Sequence, residues 1–219
     1  MKALYSMMLL ILISSSVMAQ SDKYVKAMEE KIAAIEKTNT SAGWQELANG
    51  FERIAEAEKN QWLPYYYAAM SNVMTGYMLS NGQPGGANIT QLDQMADKAE
   101  VMLNKAEELE KDNSDIYCIR KMINTLKLTA DPMTRYQTYG PKGEEALAKA
   151  KVLDPTNPRI YLLEGQDKFF TPEQFGGSKT EAKVLFETSL KKFEEFKPKS
   201  SIHPSWGKSQ VEYFLSQIK

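Results

Sequence analysis

Histidine and cysteine are almost missing from this 219-residue chain: each occurs once, as His203 and Cys118. A lone cysteine allows no internal disulfide framework, so a chain of this size holds together by packing, and Cys118, inside Ile116-Tyr117-Cys118-Ile119, reads as a buried, inert thiol. A zinc site would have to be completed by carboxylates, and no calcium loop of the Asp-x-Asp-x-Asp-Gly kind occurs, so no metal and no cofactor is expected. No Gly-x-Ser-x-Gly elbow surrounds a serine. Gly82-x2-Gly85-Gly86 and Gly176-Gly177 lack the Lys-Ser/Thr that a phosphate cradle needs. Excess charge of one sign is missing too. The 27 basic residues meet 28 acidic ones, which gives nothing to attract nucleic acid or an anionic membrane by bulk charge. Alternating apolar and polar runs, the mark of strands, do not survive four residues anywhere.

One long apolar run is present, at the very start. Lys2 is the only charge before Asp22, Met7 to Ile13 is apolar, and Ser14-Ser15-Ser16 leads into Val17-Met18-Ala19. This is the pattern of a secretory leader cleaved after Ala19, since the apolar stretch is well short of the ~20 residues that span a bilayer. The expected division is a leader over 1–19 and a single domain over 20–219. Taking Lys2 from the basic residues leaves 26 against 28 acidic, a net charge of −2. No later stretch is apolar enough to span a membrane, so no stable membrane insertion is expected after cleavage. The location implied is the periplasm of a Gram-negative bacterium, or outside the cell.

Helical spacing fills the remainder. Val25, Met28, Ile32 and Ile35 share one face of a helix over about 22–37, and Trp44, Leu47, Phe51 and Ile54 share one over 42–59. Further helices are expected over 62–79, 90–111, 114–129, 141–153, 157–170, 178–195 and 205–218. Breaks fall at Asn39-Thr40-Ser41, Ser80 to Gly86, Asp131-Pro132, Gly140-Pro141, Asp154-Pro155, Gly176-Gly177 and Pro198 to Pro204. Glu29-Glu30, Glu107-Glu108 and Glu144-Glu145 lie beside lysines on regular faces and read as solvated surface. His203, in a loop, is expected to cap the final helix or face water.

The helices repeat. Ala99-x3-Leu103-x2-Ala106-x2-Leu109-x7-Tyr117 aligns with Gly143-x3-Leu147-x2-Ala150-x2-Leu153-x7-Tyr161 at an offset of 44. An upstream copy, Leu47-x3-Phe51-x2-Ile54-x2-Ala57-x7-Tyr65, lies 52 residues earlier, and Ala182-x3-Phe186-x2-Ser189 lies 39 residues after Gly143. Small residues let two helices approach, large ones fill the gap, and a unit that cannot bury its face alone stacks on the next.

These residues resemble the tetratricopeptide repeat superfamily, most clearly at Ala146-Leu147-Ala148-Lys149-Ala150-Lys151-Val152-Leu153-Asp154-Pro155-Thr156-Asn157-Pro158-Arg159-Ile160-Tyr161. Phe169-Phe170-Thr171-Pro172-Glu173-Gln174-Phe175-Gly176-Gly177 with His203-Pro204-Ser205-Trp206-Gly207 also resembles exported repeat proteins of Bacteroidetes-type bacteria. The resemblance implies an all-α, TPR-like α-solenoid: four antiparallel hairpins, pairing 22–37 with 42–59, 62–79 with 90–111, 114–129 with 141–153 and 157–170 with 178–195, capped by 205–218. Offsets longer than the usual repeat are assigned to enlarged loops at Ser80–Ile89, Ala130–Pro141 and Thr171–Gly177.

In that superfamily the first helix of each unit lines a concave binding surface. Carried over, the register implies Tyr66, Met70, Met74, Met122, Arg159, Gln166 and Phe170 as contact residues, and the polar tips of Tyr66 and Arg159 argue against their complete burial. With no catalytic pair in view, the expectation is a non-enzymatic exported scaffold holding an unidentified protein or peptide, with no nucleic acid involved. No residue pattern sets an oligomeric state. The alternative is a small-molecule binder assisting solute transport, for which a deep aromatic-lined cavity would speak. A hydrolase would need two buried carboxylates facing each other in a cleft, which no spacing foretells.

Overall fold

A computed structural model describes residues 22–80 and 88–218. The leader and most of the Ser80–Ile89 loop lie outside the described residues. Nine α-helices and no strand occur among the described residues. They are α1 (22–35), α2 (Ser41–Ala57), α3 (Trp62–Leu79), α4 (Ile89–Leu109), α5 (Ser114–Ala130), α6 (Pro132–Leu153), α7 (Pro158–Phe170), α8 (Lys179–Glu195) and α9 (Lys208–Gln217). None is long and apolar enough to cross a membrane.

The helix starts are written in the sequence. Side-chain oxygens of Thr40, Asn88, Asn113, Asn157 and Ser178 accept hydrogen bonds from first-turn amides, and Pro132 and Pro158 open α6 and α7 with a preset φ. Each contact supplies an acceptor to an amide that has no partner inside the helix, so the short joins terminate one helix and start the next.

Neighbours in sequence are neighbours in space: α2 packs on α3, α3 on α4, α4 on α5, α5 on α6, α7 on α8 and α8 on α9, while α3–α5 and α5–α7 also touch. A ladder of polar contacts fixes their direction. Tyr117 donates to Glu107, Arg120 pairs with Glu107, and Lys127 pairs with Glu100 and Asp97. Advancing along α5 retreats along α4, so the two run antiparallel. Ser114 Oγ donates to the Ala150 carbonyl, which sets the start of α5 beside the end of α6. In consequence α3, α5 and α7 all begin at one end of the bundle and all finish at the other.

Two apolar clusters result. The larger runs from Met28 and Phe51 through Tyr67, Val73, Leu92, Leu103, Ile119 and Leu126 to Ile160 and Ile202. The smaller joins Leu162, Ala182, Phe186, Phe193, Val211 and Phe214, and Trp206 packs against both. Each fully buried Leu or Phe side chain contributes about 1.5–3 kcal/mol. Gly165 lets α7 and α8 approach: a Cβ there would lie 2.5 Å from the Phe186 ring.

Two expectations need correction. The predicted loop over Ala130–Pro141 is helix, because α6 starts at Pro132 and runs straight through Gly140-Pro141. Pro141 deprives the Gln137 carbonyl of its partner. Both residues are exposed or half-exposed, so water can serve that carbonyl, and Arg135 anchors the turn before it. The Arg135 guanidinium forks onto Asp93 of α4 at 2.6 and 2.8 Å and also donates to the Lys127 carbonyl. The second concerns one of the two places expected for His203: it does not cap the final helix, and it is half-exposed at the surface instead. The N-cap of α9 is Gly207, at a φ of 116° that favours glycine, and His203 Nδ1 lies 2.7 Å from Ser200 Oγ.

Candidate functional site

Where α3, α5 and α7 begin, the segment 196–207 closes over them. Arg159, in the first turn of α7, is fully buried. Its Nε donates to Asp115 Oδ1 at 2.9 Å and its Nη2 to the Pro204 carbonyl at 2.7 Å, with the Phe196 and Trp206 ring centroids 4.8 and 5.5 Å from the guanidinium carbon. Asn157 Nδ2 donates to the same Asp115 oxygen, and Trp206 Nε1 donates to the Tyr66 hydroxyl at 2.8 Å. Burial is the largest single influence on Arg159 and opposes its charge, but Asp115 together with the neighbouring Tyr66 and Cys118 outweighs it, and the guanidinium stays cationic. Burial pushes the Tyr66 and Tyr67 phenols and the Cys118 thiol up, so all three are neutral in the physiological range. The expectation that Tyr66 and Arg159 keep their polar tips in water is therefore corrected. Both are enclosed: the Tyr66 hydroxyl accepts from Trp206, and Arg159 is held through Nε and Nη2, while its Nη1 is buried without a hydrogen-bond partner.

The other five expected contact residues are dispersed. Met70 and Met122 belong to the larger core, Met74 and Gln166 are half-buried, and Phe170 is 64 % exposed. The structure therefore brings Tyr66 and Arg159 together around Trp206 and leaves Phe170 at the far end of the bundle. A recess of about 300 Å³ between α1 and α2 has one aromatic wall residue, Tyr24, and a rim of both signs made by Lys23, Glu30, Lys31, Arg53 and Glu58. No group of three or more His, Cys, Asp and Glu that could hold a metal ion occurs among the described residues.

The finishing end has a different character. The exposed aromatic side chains among the described residues are Tyr136 (58 %), Phe170, Phe175 (74 %) and Tyr213 (60 %), and all four lie here, as do exposed Met133 and Ile89. Phe170 ends α7, Phe175 occupies the 3-10 turn Glu173–Phe175, and Tyr136 lies in the opening turns of α6. Tyr213 arrives from the far side of α8, because α9 turns back along it. Of the four, Phe170 and Tyr213 are joined through Phe169 and Phe214, with Phe169–Phe170, Phe169–Phe214 and Phe170–Phe214 centroids 5.1, 5.2 and 5.6 Å apart and Tyr213–Phe214 at 5.5 Å. Beneath them Phe186 and Phe214 stack at 5.0 Å and 8°. Lys179 Nζ stands over the Phe169 ring.

A solved structure, the HusA haemophore from Porphyromonas gingivalis, superimposes on this chain with a TM-score of 0.77. The two are 34 % identical over 90 % of this chain and 92 % of the haemophore. This chain belongs to the HusA haemophore family. No family model and no curated protein matches it.

In this HusA-family chain, sequence reasoning finds one residue of the aromatic end, Phe170, and misses Tyr136, Phe175, Lys179 and Tyr213. Phe175 lies in the unusual Phe169 to Gly177 segment, and its flanking Pro172 and Gly176 are signals of an exposed turn. Tyr213 carries no such signal, since its place depends on how α9 folds back.

Proposed function

We propose that this protein is an exported, non-enzymatic carrier that takes up haem as its cargo on the aromatic end of the bundle. The observation that carries the reading is the 34 % identity, over nine-tenths of the chain, to a protein that is a haemophore. The aromatic end supports the location. A folded monomer gains nothing by leaving Phe170 and Tyr213 in water on a shared bed of phenylalanines, and a contiguous exposed apolar patch marks a binding surface. A planar apolar macrocycle stacks on such rings without requiring a deep cavity. These findings favour the small-molecule alternative over the protein or peptide scaffold.

The coarser expectations fit inside this proposal. The hairpin packing and the alternate-helix contacts support a TPR-like stack of four hairpins with α9 as cap. Residues 1–19 would be the cleaved leader, and 20–219 the carrier domain. Among the seven residues implied by the repeat register, Phe170 is the contact we retain at the cargo surface.

The test is a titration of residues 20–219 with haem, followed by the haem absorption band and by tryptophan fluorescence. Saturable binding at one haem per chain is expected, weakened about tenfold or more by Phe170→Ala with Tyr213→Ala. An unchanged haem spectrum at micromolar protein overturns the reading.

A further inference from the structure

We propose that Lys179 is the specificity residue of the aromatic end, selecting a cargo whose apolar ring carries carboxylates. This rests on the carrier reading above. Lys179 is the first residue of α8. Its Nζ stands 3.0 Å from the Phe169 ring centroid and donates to the Phe169 carbonyl at 2.7 Å. No carboxylate pairs with it among the described residues. The acid of the same first turn, Glu181, is taken by Lys168 at 2.6 Å. An ammonium has three N–H donors, so two remain for a ligand.

Position and preparation both matter. Phe169 touches Phe170 and Phe214, so the ammonium lies at the border of the exposed rings. A planar ligand stacked against Phe170 and Tyr213 brings its edge to that border. Lysine side chains usually lose much rotamer freedom when they engage a ligand. Here the ring face and the carbonyl already hold Nζ in place, so less freedom is left to lose. A charge-assisted hydrogen bond to a carboxylate is roughly twice as strong as a neutral one, and the positive end of the α8 dipole points the same way. A neutral ring would stack equally well on the phenylalanines but would gain nothing from Lys179.

The experiment compares haem with haem dimethyl ester, which has the same iron and ring but no carboxylate charge. The proteins are residues 20–219 as wild type, Lys179→Met, Lys179→Arg and Phe170→Ala. Wild type should prefer haem. Lys179→Met should lose about tenfold in haem affinity and less than about twofold in diester affinity, and Lys179→Arg should restore the preference. The Lys179 contribution should shrink with added salt. Phe170→Ala should weaken both ligands alike. Equal loss of both ligands in Lys179→Met assigns Lys179 to packing on Phe169 and overturns the proposal, as does no loss of haem. If haem binds and Phe170→Ala weakens it while Lys179→Met does not, the carrier reading stands and the Lys179 role alone falls. If wild type binds neither ligand, both fall.

Discussion

Tyr66, Trp206 and Arg159 face inward and contact one another where α3, α5 and α7 begin, whereas Tyr136, Phe170, Phe175 and Tyr213 face outward where the same helices finish. Similar side chains are thus used for opposite ends. At the first end, aromatic rings wrap a buried cation whose charge is met by Asp115, and hydrogen bonds through its Nε and Nη2 offset part of the cost of burying it, Nη1 being left without a partner. At the second end, rings stack on rings with few polar partners, which leaves apolar area uncovered. The difference separates a closure from a contact surface. Substitutions at the first should cost stability, and substitutions at the second should cost binding.

The largest effect is expected at Arg159. Replacing it by methionine removes the charge, leaves the largely buried Asp115 carboxylate with Asn157 but no cation, and leaves the Pro204 carbonyl without its donor. Removing one partner of a buried pair typically costs about 3–5 kcal/mol. Urea unfolding of Arg159→Met against wild type measures this. A loss below about 1 kcal/mol would mean that the closure is not rigid and would erase the contrast between the ends.

Gly165 lies between the two regions, and Gly165→Ala should come next. Its Cβ would press on Phe186, the ring that supports Phe214 and, through it, Phe170. Overpacking of this kind costs about 1–3 kcal/mol. Because the strain enters the stack below the exposed rings, haem affinity should drop with stability. Loss of stability with unchanged haem affinity would show that the ring surface is independent of its support.

Much of the fold is legible in the sequence, because the signals that carry it are local. The Ala and Leu spacing of α4 and α6, the Asn caps and the Asp154–Pro158 junction mark the helices and their order. What escapes a sequence reading is non-local. Pro141 reads as a break, and only the Arg135–Asp93 fork, 42 residues apart in sequence, shows why the helix continues. Tyr66 and Arg159 read as half-exposed because their partners Trp206 and Pro204 lie 140 and 45 residues away. The same holds at the aromatic end. Phe170 is visible from its register, but Tyr213 joins it only because α9 folds back along α8, and α9 carries no repeat signal.

Smaller effects on stability are expected at the exposed rings. Phe170→Ala and Tyr213→Ala remove side chains that are mostly in water already, so each should change unfolding free energy by less than about 1 kcal/mol. Each should still weaken haem by several-fold, about 1 kcal/mol of stacking per ring. Calorimetric melting and haem titration of the same two variants set the two quantities side by side. If both variants melt well below wild type, the rings belong to the core and the proposed surface loses its meaning.

The smallest effect is a pH dependence confined to the closed end. His203 packs edge-on to Trp62, with ring centroids 6.0 Å apart, and burial lowers its pKa, with Lys199 pushing the same way. The folded protein therefore prefers the neutral ring, while the unfolded chain takes up a proton near the ordinary histidine value of about 6.5. The stability this provides is complete above that value. It is lost as pH falls from there to the lower folded pKa, below which the loss levels off. His203 is the only histidine, and the Cys118 thiol is pushed upward, so few other side chains titrate between about pH 7.5 and 5.5. Wild type should lose more melting temperature across that window than His203→Gln does, while haem affinity, set at the other end, should differ little between the two proteins. A haem affinity that follows the state of His203 would join the two ends into one site.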